Sequence, residues 1–229
     1  DPYERAEGRA YMTGMQALVL MALLQAEADA RAGLRTAGLI SGYRGSPLGG
    51  FDTELLRNAA RLKRARIEFQ AGLNEDLAAT AIMGAQQAAA FGSARYDGVF
   101  GLWYGKGPGV DRSGDAFKHA LRCGASAKGG VLAVFGDDHP GKSSTVAHQS
   151  DPTLAAIGMP VLYPATLEEM ISFGLYGWAA SRLTGLWVGL KCVNETAEAT
   201  AVVALDGLRR RFAAPEVETP PGGFGVRLT

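Results

Sequence analysis

With 229 residues, 47% of them hydrophobic and 20% charged, the chain has the balance of one ordinary globular domain. Lys plus Arg and Asp plus Glu both number 23, so the formal net charge is zero and nothing draws the protein to nucleic acid or to an anionic membrane. The longest apolar run, Ala17–Leu24, is too short to span a bilayer. The two cysteines, Cys123 and Cys192, are widely separated with no CxxC, which points to a reducing, cytoplasmic setting, and they are too few for an iron–sulfur cluster.

Asp1, Glu4 and Glu7 stand where a cleavable leader would be basic, and residues 1–10 read as an N-terminal extension. Met15, Leu18, Val19, Ala22, Leu23 and Ala26 follow helical spacing and predict a helix over Tyr11–Arg31. Short apolar runs then recur at Ala37–Ile40, Ile67–Phe69, Val99–Trp103, Gly130–Phe135, Val161–Tyr163 and Leu186–Leu190, each the length of a buried strand. Helical patterns at Thr53–Leu62, Asn74–Phe91, Arg112–Arg122 and Leu167–Arg182 separate most of them. Strands alternating with helices predict an α/β domain over residues 11–212, with a mostly parallel sheet and helices on both faces. Residues 213–229, with Pro215, Pro220, Pro221, Gly222 and Gly223, read as a linker to a further region, as in a domain cut from a longer polypeptide.

In open sheets of this kind, ligands bind beyond the carboxyl ends of the strands. The segments following the first four predicted strands are Ser41–Gly50, Gln70–Asp76, Tyr104–Asp115 and Gly136–Thr145, all rich in glycine and polar side chains. Gly-rich polar loops on one edge of a rigid sheet make an active-site layout. Gly136–Ser143 also satisfies the phosphate-loop pattern GxxxxGK[ST], which leaves a nucleotide-binding protein as one reading. Against it, Asp137 and Asp138 would put carboxylates in a cradle meant for phosphate, and Pro152 follows Lys142 too soon for the helix that motif needs. No GxSxG elbow presents Ser143 or Ser144 to His139 or His148, and no HExxH-type spacing supports a metal site.

Taken together, the loops resemble the N-terminal region of the 2-oxoacid:ferredoxin oxidoreductases, in particular the fused bacterial indolepyruvate type. The residues carrying the resemblance are SGYRGSPLGGFD (Ser41–Asp52), GLNEDLAATA (Gly72–Ala81), YDGVFGLWYGKGPGVDRSGDAFKHA (Tyr96–Ala120), GDDHPGKSSTVAHQSD (Gly136–Asp151) and GLWVGLKCV (Gly185–Val193). It runs in order from Tyr11 to Asp206. It implies the pyrimidine-binding domain of a thiamine-diphosphate enzyme that oxidatively decarboxylates an arylpyruvate with coenzyme A and passes electrons to ferredoxin.

By its place in GLNED, Glu75 matches the family glutamate that hydrogen-bonds N1′ of the aminopyrimidine and so activates the thiazolium carbon. Burial against the ring favours a proton-donating carboxyl there, whereas a first-turn position behind Asn74 favours the carboxylate. Taken alone, Glu75 reads as an ordinary first-turn acid, and the resemblance is what favours catalysis. Ser46-Pro47 lies where relatives carry Thr-Pro, next to Gly45, and keeps a hydroxyl that reaches substrate or cofactor. Arg44 is a bidentate clamp for a 2-oxoacid carboxylate or else an exposed turn arginine. Lys106 and Asp111 match a family loop near the site, and His139 and Gln149 are further candidates.

The GDG…Asn pattern that holds the diphosphate and magnesium is absent from the sequence. The resemblance therefore places magnesium, iron–sulfur clusters and coenzyme A contacts on a diphosphate-binding domain or second subunit. It implies a homodimer, with this chain inactive alone. The other reading is an assembly module that keeps the fold without the chemistry.

Overall fold

The computed structural model describes residues 1–92, 94–141, 146–209, 212 and 218. In chain order the elements are β1 (Arg9–Thr13), α1 (Gly14–Arg31), β2 (Ala37–Gly42), α2 (Phe51–Arg57), α3 (Ala59–Arg64), β3 (Ile67–Ala71), α4 (Glu75–Gln86) and β4 (Val99–Lys106). They continue as α5 (Gly107–Arg112), α6 (Gly114–Cys123), β5 (Val131–Asp137), α7 (Asp151–Ala156), β6 (Val161–Leu162), α8 (Leu167–Thr184), β7 (Val188–Val193), α9 (Asn194–Ala197) and β8 (Thr200–Ala204). Six strands form one parallel sheet in the order β3-β2-β4-β5-β7-β6, and β1 and β8 pair antiparallel in a separate ribbon.

Strand alternation divides the core into two layers. Phe100, Leu102 and Tyr104 of β4 and Leu132 and Val134 of β5 belong to a cluster with α1, α2 and α8. Trp103, Val131, Ala133 and Phe135 point the other way, into a cluster with α4, α6 and α7. Trp103 and Tyr104 are fully buried, so both serve the core.

Three predicted helices end differently, each for a local reason. The pattern assigned to Tyr11–Arg31 begins as β1, because Thr13 and Gln16 form a reciprocal capping box that fixes the helix start at Gly14. The stretch Thr53–Leu62 breaks at Asn58, whose side-chain amide donates to the Glu54 carbonyl and carboxylate. The helix predicted over Asn74–Phe91 stops at Gln86, and its predicted start coincides with Asn74, whose carboxamide oxygen accepts from the Leu77 amide at 2.9 Å. The predicted phosphate-loop residues Lys142 and Ser143 lie outside the described residues, as does the 213–229 segment apart from Glu218. Among the described residues, no helix is long and apolar enough to cross a membrane.

Candidate functional site

The chain leaves β2 for β3 on one side and returns to place β4 on the other, so the carboxyl ends of β2 and β4 diverge at a switch point. The loop after β2 is tied across this point. The Tyr43 amide donates to the Tyr104 carbonyl at 3.0 Å, and the Tyr104 hydroxyl donates to Asp52 at 2.6 Å. Burial, together with that acceptor carboxylate, pushes the Tyr104 phenol well above its usual range. Between these ties, the chain passes close to its neighbours: a Cβ on Gly45 would come within 2.7 Å of the Lys106 side chain, and one on Gly136 within 2.6 Å of Pro47. The Ser46-Pro47 peptide bond is cis.

Two acids open α4, and the structure separates them. Asp76 turns outward to Arg112, whose guanidinium Nε lies 3.0 Å from Oδ1 and holds that carboxyl below the usual range. Asp76 is thus the ordinary first-turn acid. Glu75 turns inward and is 7% exposed. Its backbone carbonyl accepts from Trp103 Nε1 at 2.9 Å, which fixes the start of α4 against β4. Its side chain lies against bare backbone: a Cβ on Gly109 would sit 2.6 Å from Glu75 Cγ and 2.7 Å from Oε1, and one on Gly105 3.2 Å from Cγ. Glycine at these positions makes the close approach possible. No described residue hydrogen-bonds or ion-pairs with the Glu75 carboxylate. The residue is largely buried, yet its carboxyl oxygens are not among the fully buried side-chain atoms left without a partner, so the group keeps a polar face open to a bound molecule.

Beyond Gly109, the same edge carries a run of polar contacts that reaches β7. Asp111 Oδ2 lies 2.8 Å from His148 Nε2, and His148 Nδ1 lies 3.4 Å from the Ser150 hydroxyl. Ser150 donates to Asp137 through Oγ at 2.6 Å and through its amide at 2.8 Å. Asp137 lies 3.3 Å from Lys191 Nζ, which donates to Asp151 at 2.5 Å. Lys191 and Asp137 are both buried, so this pair is held by surrounding hydrogen bonds rather than by solvent.

Of the site residues expected from sequence, the structure brings Gly45 to Lys106 and Asp111 into the helix that backs Glu75. Arg44, His139 and Gln149 are exposed and form no hydrogen bond or ion pair with a described residue. Gly107, Gly109, Asp137 and Lys191 were not singled out from sequence. Lys191 carried a signal, since a lysine inside an apolar strand run requires a buried partner. Among the described residues, no group of three or more His, Cys, Asp or Glu side chains could hold a metal ion.

No family model matches the chain, and no curated protein does. Solved structures do match. A 2-oxoglutarate:ferredoxin oxidoreductase from Magnetococcus marinus, solved with 2-oxoglutarate, coenzyme A and succinyl-CoA bound, superposes with a TM-score of 0.61 at 16% identity. The match covers 86% of this chain and 32% of that one. The α/β fold with a parallel sheet flanked by helices is thus shared with a domain-sized part of a larger oxidoreductase.

Proposed function

We propose that this chain supplies the pyrimidine side of a thiamine-diphosphate site in a 2-oxoacid:ferredoxin oxidoreductase. The observation that carries the reading is the largely buried residue Glu75, its carboxylate unpartnered among the described residues, at the switch point of the sheet. Glu75 would hold a proton shared with N1′ of the aminopyrimidine. Gly105 and Gly109 leave room for its approach, and Trp103 holds the start of its helix. When bound, the cofactor supplies the electron sink for decarboxylation of a 2-oxoacid. Ser46 and Arg44 lie on the loop after β2, where a hydroxyl and a free guanidinium suit a substrate carboxylate.

The motif resemblance favours an arylpyruvate, with coenzyme A as acyl acceptor and ferredoxin as electron acceptor. Magnesium, the diphosphate anchor and the iron–sulfur clusters would belong to another domain or subunit, in a homodimeric enzyme. Leu73 and Leu77, exposed by 86% and 50% beside Glu75, offer apolar surface for that neighbour.

The test uses the complete enzyme with indolepyruvate, phenylpyruvate, pyruvate and 2-oxoglutarate, following thiamine-diphosphate-dependent reduction of ferredoxin. Turnover favouring the aryl substrates supports the reading. Turnover that does not depend on the cofactor, or is unchanged in Glu75→Gln, overturns it.

A further inference from the structure

The helix α5 is short, and apart from Pro108 at its start and the Arg112–Asp76 contact its own sequence holds it weakly. It has six residues, no side-chain cap at Lys106, and glycine at two of its first three positions. Val110 is its buried side chain. Yet α5 supplies the backbone against which the Glu75 carboxylate rests, at Gly109.

Two side chains press on this bare backbone from different elements. Glu75 meets Gly109, and the His148 imidazole packs so closely on Gly107 that no larger residue fits there. His148 also reaches forward along the helix, with Nε2 2.8 Å from Asp111 Oδ2. Behind it stand Ser150 at 3.4 Å and Asp137 at 3.7 Å, the latter fixed by two hydrogen bonds from Ser150 and by Lys191. The imidazole is therefore held between the buried ends of β5 and β7 and the first and last turns of α5.

We infer that His148 is a positioning residue for Glu75. Acting through α5, it sets where the Gly109 backbone meets the carboxyl group. The inference rests on the proposed role of Glu75, and it assigns His148 no contact with the reacting atoms. Removing the imidazole releases Asp111 and opens space beside Gly107, so α5 and the carboxyl resting on it shift. A displacement of about 1 Å in a catalytic group costs on the order of 100-fold in rate.

The experiment compares His148→Ala, His148→Gln and Asp111→Ala in the complete enzyme. The measurements are kcat, KM, the thiamine-diphosphate dissociation constant by calorimetry, and amide hydrogen exchange over residues 105–113. Expected are a kcat roughly 10- to 100-fold lower in His148→Ala with KM changed much less, weaker cofactor binding, and faster exchange in α5. Glutamine, which can still donate toward Asp111, should restore most of the rate. In a Glu75→Gln background, His148→Ala should lower cofactor affinity no further, because the two changes act on one contact.

Wild-type kcat and cofactor affinity in His148→Ala overturn the inference while leaving the role of Glu75 standing, provided that Glu75→Gln is impaired. An unimpaired Glu75→Gln removes the foundation of both. Should His148→Ala fail to fold, Asp111→Ala decides, since it removes the acceptor of the His148 bond: wild-type exchange, affinity and rate in that variant also overturn the inference.

Discussion

Replacing Gly109 by alanine perturbs the position of the Glu75 carboxyl without removing it. The added Cβ would lie 2.6 Å from Glu75 Cγ, 2.7 Å from Oε1 and 2.9 Å from Cδ. Comfortable separation between such atoms is about 3.5–4.0 Å, so the side chain must retreat by roughly 1 Å. The atoms in the way belong to a flexible side chain, so the conflict is relieved by rotation rather than by unfolding. Gly109 lies in α5, where alanine is better suited to a helix than glycine by about 0.5–1 kcal/mol. Thermal stability should therefore stay near wild type, while activity falls on the order of 100-fold, the cost of misplacing a catalytic group by that distance. The assay pairs a melting curve with initial rates of 2-oxoacid decarboxylation at saturating thiamine diphosphate. Wild-type rates in a folded Gly109→Ala enzyme would refute the claim that Glu75 works from the position it occupies here.

Other expectations concern the scaffold. Gly84, within α4, has nothing within 4 Å of an added Cβ, so Gly84→Ala should raise stability by about 0.5–1 kcal/mol in urea melts. Asp29 is 3% exposed and accepts two guanidinium hydrogen bonds from Arg182, at 2.6 and 2.8 Å, so Asp29→Ala should destabilise by about 3–5 kcal/mol in the same melts. Stability should also fall at alkaline pH. Burial raises the Cys192 thiol from 9.0 to about 12, and a group whose folded value is raised contributes stability that is intact below 9.0 and lost as pH climbs towards 12. Tyr104, also raised, adds to the loss above 10.0, and melting curves of Cys192→Ala should decline less steeply across this window.

The parallel sheet was legible because strands buried on both faces appear as continuous apolar runs. Each of the six predicted runs coincides with a strand of the sheet, and five extend further at the carboxyl end, through residues such as Lys106 and Asp137 that apolarity does not mark. The β1–β8 ribbon was not legible. Its strands are five residues each with exposed positions between buried ones, and the pairing joins residues nearly two hundred positions apart. At the site, the position of Glu75 followed from GLNED and the Asn74 cap. That it turns inward while Asp76 turns out to Arg112 depends on glycines of β4 and α5, some thirty residues away, and no local pattern reports such a contact. The His148–Asp111 bond joins α5 to the segment after β5 and was equally hidden, although both residues lay within the motifs that suggested the site.

The central claim is that the Glu75 carboxyl, poised without a partner among the described residues, acts on a bound aminopyrimidine. The most direct measurement is thiamine-diphosphate-dependent release of carbon dioxide from a 2-oxoacid by the complete enzyme carrying Glu75→Gln. Glutamine keeps the shape and the burial but cannot share a proton with the ring. The account predicts a rate lower by about 100-fold or more, the scale of acid–base assistance from a positioned side chain, in a protein that melts as the wild type does. A wild-type rate would contradict it.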